Sequence, residues 1–188
     1  MFILKQNLLK FKFLIALSLF AIIIFTISGC ANTKNGVSLD TKDTNENTEI
    51  LTGKVSVKGK GVTITLTDNT NKELVGGIVT DNNIIEIVSI LKKAGAEVIA
   101  VNDERLIATS KIKANKMMTT INNKDFKAPF VIKAIGDPKT LNDMLTKQLE
   151  YVIPNEKYIK IKIEKEDEIL IPKYDGDIEF KYAKVAKE

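Results

Sequence analysis

Residues 81–101 read DNNIIEIVSILKKAGAEVIAV, and this stretch decides the fold. Ile84, Ile85, Ile87, Val88, Leu91 and Ala94 fall on one stripe of a helix that Asp81 can cap; Lys92 and Lys93 occupy its last turn and Gly95 stops it. Val98–Val101 then runs apolar without alternation, the pattern of a central strand covered on both faces.

The same order returns downstream. Phe130–Ile135 reads as a strand, Gly136-Asp137-Pro138 as a turn with Asp137 at the N-cap and Pro138 at the first helical position, and Leu141, Met144, Leu145 and Leu149 supply a helical stripe. Tyr158–Ile163 alternates as a strand with one wet face, its lysines guarding an edge against pairing. Upstream, Gly61–Thr67 alternates with period two and ends in the turn formers Asp68–Asn71. Leu106–Ile112 with Met117–Ile121 fits a hairpin, and Ile169–Ile171 and Ile178–Tyr182 fit late edge strands. The expected class is therefore α+β: a mixed β-sheet with two helices packed on one face, built from two strand–helix–strand halves, an order that a ferredoxin-like centre would satisfy.

Working outward from this domain, residues 1–29 read as a lipoprotein signal peptide. Lys5, Lys10 and Lys12 form a basic start, Phe13–Phe25 an apolar run, and Ile27-Ser28-Gly29-Cys30 has the pattern of a bacterial lipobox. Cys30, the single thiol, is the expected lipidation site for diacylglycerol and palmitate-type chains, and two acyl chains meet the requirement for stable anchoring. The competing reading is an uncleaved anchor: Phe13–Gly29 as a helix spans roughly 26 Å against a hydrocarbon core of roughly 30 Å. Both place the remainder at the extracytoplasmic face of the cell membrane. Ala31–Ile50, with four Thr, four Asn and four acids, reads as a flexible polar tether behind the lipidated Cys30, so residues 30–50 form the link and 51–188 a single domain.

Composition narrows the chemistry. There is no His among the 188 residues, which removes Ser-His-Asp, Cys-His and His-based zinc sites. The formal net charge of +4 includes three leader lysines, and 27 of the 28 basic residues are Lys, so the chain carries no signature of nucleic-acid binding. No cofactor and no metal site is expected. Gly59-Lys60-Gly61 precedes a strand instead of opening a helix and reads as a turn, not a phosphate loop. Asp68–Glu73 has oxygen ligands at calcium-like density but lacks the Gly and distal Glu of a calcium loop. Asp68, Asp81, Asp103 and Asp137 fall at element ends where paired carboxylates could act, although capping and turns account for most of them. Asn102, Arg105 and Asp137 form the candidate binding set, because the lone Arg follows one buried strand and Asp137 ends another; an Arg105–Asp137 pair would require those strands to be neighbours.

Ala94-Gly95-Ala96-Glu97 running through Asn102 to Arg105, then Ala128-Pro129-Phe130-Val131-Ile132 and Ala134-Ile135-Gly136-Asp137, resembles the YlxW-like family, number 881 in the series of bacterial domains of unknown function. The similarity runs from about Gly61 to Tyr182, and Asn102, Arg105, Gly136 and Asp137 match its motif positions. The resemblance implies a membrane-tethered extracytoplasmic protein without established enzymatic activity, in envelope or division-related organisation. Members typically carry a transmembrane anchor and a coiled coil ahead of the domain, where this chain has a lipobox and a short polar tether. The expected function is thus non-catalytic: a tethered domain that binds an envelope protein or wall component. A carboxylate-based envelope hydrolase using Asp103 and Asp137 and a small-ligand-capture lipoprotein are the alternatives. Nothing in the sequence names the partner or the oligomeric state.

Overall fold

Two apolar runs of β1 (Val57–Asp68) and β7 (Phe130–Ile135) pair antiparallel at the centre of a five-stranded sheet, from Gly61 opposite Ile135 to Leu66 opposite Phe130. The computed structural model describes residues 41–69, 78–153 and 159–186. The leader, Cys30, the first part of the tether and Thr70–Glu73 of the calcium-like stretch lie outside the described residues.

The elements run α1 (Thr41–Thr52), β1, α2 (Asp81–Lys93), β2 (Val98–Val101), β3 (Glu104–Arg105), β4 (Ile112–Asn115), β5 (Met118–Ile121), β6 (Lys124–Phe126), β7, α3 (Pro138–Val152) and β8 (Ile159–Ile171). The large sheet has the order β3-β2-β7-β1-β8, and β4-β5-β6 form a separate meander. Setting β3 and the meander aside as insertions leaves strand–helix–strand twice over, with the second half's first strand lying between the two strands of the first: the ferredoxin-like arrangement. The class is α+β with two helices on one face, as expected. The pairing is antiparallel at every strand interface of this sheet, not mixed, because β7 separates β1 from β2 and leaves no parallel neighbours.

The main core lies between the sheet and the helix pair. Val62, Ile64 and Leu66 of β1, Ile99 and Val101 of β2, and Phe130, Ile132 and Ala134 of β7 meet Ile84, Ile87 and Leu91 of α2 and Leu141 and Leu145 of α3. Each fully buried Leu or Ile contributes about 1.5–3 kcal/mol relative to exposure. Ile85, assigned to this stripe from spacing, is instead 41% exposed, and Ile90 takes a buried place at 3%. The cap of α2 is Thr80, one residue earlier than Asp81: its hydroxyl accepts from Asn83 N while the Asn83 side chain accepts from Thr80 N. Asp81 then sits in the first turn, where the helix dipole favours an acid.

The reverse face holds a smaller core of Val98, Ala100, Ile135, Ile169 and Ile171, against which Ile50 of α1 and Val57 pack. Here the expected tether needs correction. Its last ten residues are helical, the compact unit begins at Asp40, and Ile50 belongs to the domain. The polar composition of residues 41–52 gives little helix signal of its own; tertiary packing holds the helix.

β8 serves both cores. Ile163 lies opposite Ile64 on the helix side, whereas Ile169 and Ile171 lie opposite Gly59 and Val57 on the α1 side. The register shifts between the Gly59 and Gly61 pairs, where three steps of β8 oppose two of β1; this bulge turns the later isoleucines to the other face. Ile169–Ile171 is therefore the end of one long strand, not a separate one, and Ile178–Tyr182 forms no strand. Gly59-Lys60-Gly61 lies inside β1, not in a turn. A Cβ on Gly61 would overlap the Ala134 carbonyl oxygen, so the close approach of β7 requires glycine there. Residues 106–111 form a turn, not the first arm of a hairpin: Ser110 Oγ accepts from Ile107 N at 2.9 Å and Ser110 N donates to Ile107 O at 3.0 Å.

Candidate functional site

The hairpin after β2 turns on Asn102 and Asp103, both at positive φ (49° and 63°), a two-residue loop of the type that matches strand twist. Asn102 stitches this loop to the entry of β7. Its Oδ1 accepts from Val131 N at 2.7 Å, its backbone N donates to Val131 O at 2.8 Å, and its Nδ2 reaches Pro129 O at 3.4 Å. Asp103 accepts from Lys133 Nζ at 2.7 Å.

Arg105, two residues on, is 3% exposed. Nη2 donates to the carbonyl oxygen of Ile50 at 2.8 Å, at the C-terminal end of α1. That helix ends in a paired-bond cap, Gly53 N to Ile50 O at 3.1 Å and Lys54 N to Glu49 O at 2.9 Å, with Gly53 at φ +74°. The guanidinium thus meets the negative end of a helix dipole. Asn122 Nδ2 donates to Arg105 O at 2.9 Å, and Tyr174 N donates to Gly53 O at 2.8 Å, which brings the second hairpin and the C-terminal segment to the same spot. Nη1 of Arg105 and Oδ1 of Asn122 are buried without a protein partner among the described residues. Burial without a carboxylate partner pushes the Arg105 pKa down from its ordinary value.

Asp137 lies beyond the far end of β7. Its Oδ2 accepts from Thr140 N at 2.8 Å and from Thr140 Oγ1 at 2.6 Å, capping α3 as expected. These bonds, the hydroxyl first, hold its carboxyl below the usual range. The expected Arg105–Asp137 pair does not form: although β2 and β7 are neighbours, Arg105 turns to α1 and Asp137 to its own helix. The six residues of β7 also separate Asp137 from the Asp103 turn, on the order of 15–20 Å. These two acids do not share a site.

The three candidates therefore hold a turn, a helix end and a cap. Sequence reasoning missed their partners Ile50, Gly53, Asn122 and Tyr174. The one available signal was Asn122-Asn123, which places two turn residues at positive φ between β5 and β6.

Asn102, Arg105 and Asp137 thus sit at joints of one fold. The family described as "Bacterial protein of unknown function (DUF881)" matches residues 44–184. The chain belongs to this family. The match begins within α1, in accord with the helix being part of the domain. Among DUF881-like relatives, UPF0749 protein YlxW of Bacillus subtilis is 38% identical over 93 residues, covering 47% of this chain and 40% of the relative. UPF0749 protein Rv1825 of Mycobacterium tuberculosis is 34% identical over 96 residues, covering 49% of this chain and 31% of the relative. The matched stretch is thus less than half the length of these relatives. The crystal structure of an uncharacterised conserved protein from Mycobacterium tuberculosis superposes with a TM-score of 0.62 at 24% identity, covering 75% of this chain and 98% of that one, which is a likeness of fold.

Two surface grooves lie apart from Asn102, Arg105 and Asp137. A groove of about 360 Å³ runs between the start of α2 and the meander, lined by Val79, Met117, Met118, Phe126 and Phe130. A second, of about 640 Å³, lies between α3 and β8, lined by Leu149, Ile153, Ile161 and Ile163.

Proposed function

We propose that this chain is a non-catalytic protein anchored through lipidated Cys30 at the extracytoplasmic face of the cell membrane, with an α+β domain that binds another envelope protein or a wall component in envelope or division-related organisation. The observation that carries the reading is the use of Asn102, Arg105 and Asp137 within the fold: each is held by partners of its own chain, which leaves recognition to the surface. The basic, apolar and Ile27-Ser28-Gly29-Cys30 segments supply the anchoring half. Cys30→Ala in cells fed a labelled fatty acid should abolish labelling and leave the leader attached; persistent label defeats the anchoring half. Crosslinking in intact cells should then capture an envelope partner with the parent chain.

A small-ligand role is the second reading, favoured by the apolar groove at Phe126 and Phe130. It predicts saturable binding of an apolar fluorescent probe that Met118→Lys abolishes.

A further inference from the structure

β8 is the long edge of the large sheet, paired with β1 on one side; among the described residues no strand pairs with its other side. Lys160, Lys162, Glu164 and Glu166 lie opposite Thr67, Thr65, Thr63 and Gly61, which puts all four on the sheet face away from α2 and α3. The first three are exposed and Glu166 is half-buried. Ile161 and Ile163 are half-buried on the helix side, at the groove beside α3. The strand therefore carries two bases followed by two acids on one face and an apolar pair on the other.

We propose that β8 pairs antiparallel with β8 of a second copy of this chain, with Ile163 opposite its own copy at the two-fold axis. In such a pair, opposite residues share a face of the continuous sheet. Centring on Ile163 sets Lys160 against Glu166 and Lys162 against Glu164, each twice, and packs the two Ile163 side chains together at the groove. Centring on residue 162 sets Lys162 against itself, and centring on 164 does the same to Glu164. Half-step registers throw bases and acids to opposite faces, and a parallel pairing aligns like with like. One register satisfies both charge and face. The Lys162–Glu164 bond within one chain, at 2.8 Å, would be exchanged for the same bond between chains. The lysines that guard this edge against foreign strands thus belong to a pattern that accepts itself. The bulge beyond Glu166 ends the flat segment and limits the pairing to residues 160–166.

The test is disulfide trapping of the full chain in cells. Opposite Cα atoms of an antiparallel pair lie about 4.5–5.5 Å apart, within disulfide reach. Ile163→Cys should give a linked dimer several-fold above the unmodified chain and above Lys147→Cys, an exposed position on α3. Because Ile163 is half-buried, Lys160→Cys combined with Glu166→Cys provides the same readout from two outward positions. In either background, Lys162→Glu should suppress linking, and adding Glu164→Lys should restore it. Linking no greater than the Lys147→Cys level in both cysteine variants overturns the proposal, as does linking that ignores the charge reversal.

Discussion

Arg105 and Ile50 stand 55 positions apart in the chain and are joined by a bond of 2.8 Å from the guanidinium to the last turn of α1. This bond fixes a polar helix to the reverse face of the sheet from the two-residue strand β3. Arg105→Ala removes it together with the aliphatic stem packed beneath Gly53, at a cost of roughly 2–4 kcal/mol. Hydrogen exchange should show the amides of Gly53 and Lys54 losing protection while those of α2 and α3 keep theirs. Equal loss across all three helices would mean that α1 is no separate unit.

Gly61→Ala should prevent cooperative folding or cost more than about 3 kcal/mol, because its Cβ meets backbone that cannot move without parting β1 from β7. Chemical denaturation checks this, with Thr65→Ala, on the same strand and half-buried, as the mild comparator.

The bulge in β8 yields a prediction about counting. Asp167 is exposed, so Asp167→Ala should change stability by less than about 0.5 kcal/mol. Inserting one alanine after Asp167 should be far worse: it displaces Ile169 and Ile171 by one pleat toward the helix side, and the small core around Ile50 loses two members. Deleting Asp167, by contrast, leaves two steps of β8 against two of β1 and keeps both isoleucines opposite Gly59 and Val57. Comparable midpoints for the substitution and the insertion would dismiss this account of the register.

Adjacent residues make the same point more finely. Ile171 is 0% exposed and Leu170 63%. Ile171→Ala should cost about 2–5 kcal/mol and Leu170→Ala close to nothing, measured by urea unfolding.

Acid should weaken the domain through two hydrogen-bonded carboxylates, the Asp137 cap and Asp125 of β6. Asp137 and Asp125 are both held below the ordinary carboxylate value of 3.8, chiefly by the hydroxyls of Thr140 and Thr120 respectively. A depressed folded-state pKa means that their stabilisation is fully present above the unfolded value and is lost as pH falls through the folded one. Unfolding midpoints should therefore fall below about pH 4, and Asp137→Asn, which keeps an N-cap acceptor, should flatten that fall without erasing the cap. An unchanged acid limb in this variant would remove Asp137 from the account.

Local periodicity along the chain was enough to determine α2, β2, β7 and α3, the Asp137 cap and the α+β class, because each is written in contiguous residues whose spacing matches one regular backbone. The family likeness was carried by the same contiguous segments. Only the tertiary structure decided that residues 41–52 are a helix of the domain, that Arg105 binds Ile50 instead of Asp137, that β7 inserts between β1 and β2, and that β8 changes faces at a bulge. Those outcomes depend on partners tens of residues away, and no residue's own propensity encodes which distant carbonyl or strand will meet it when the core closes.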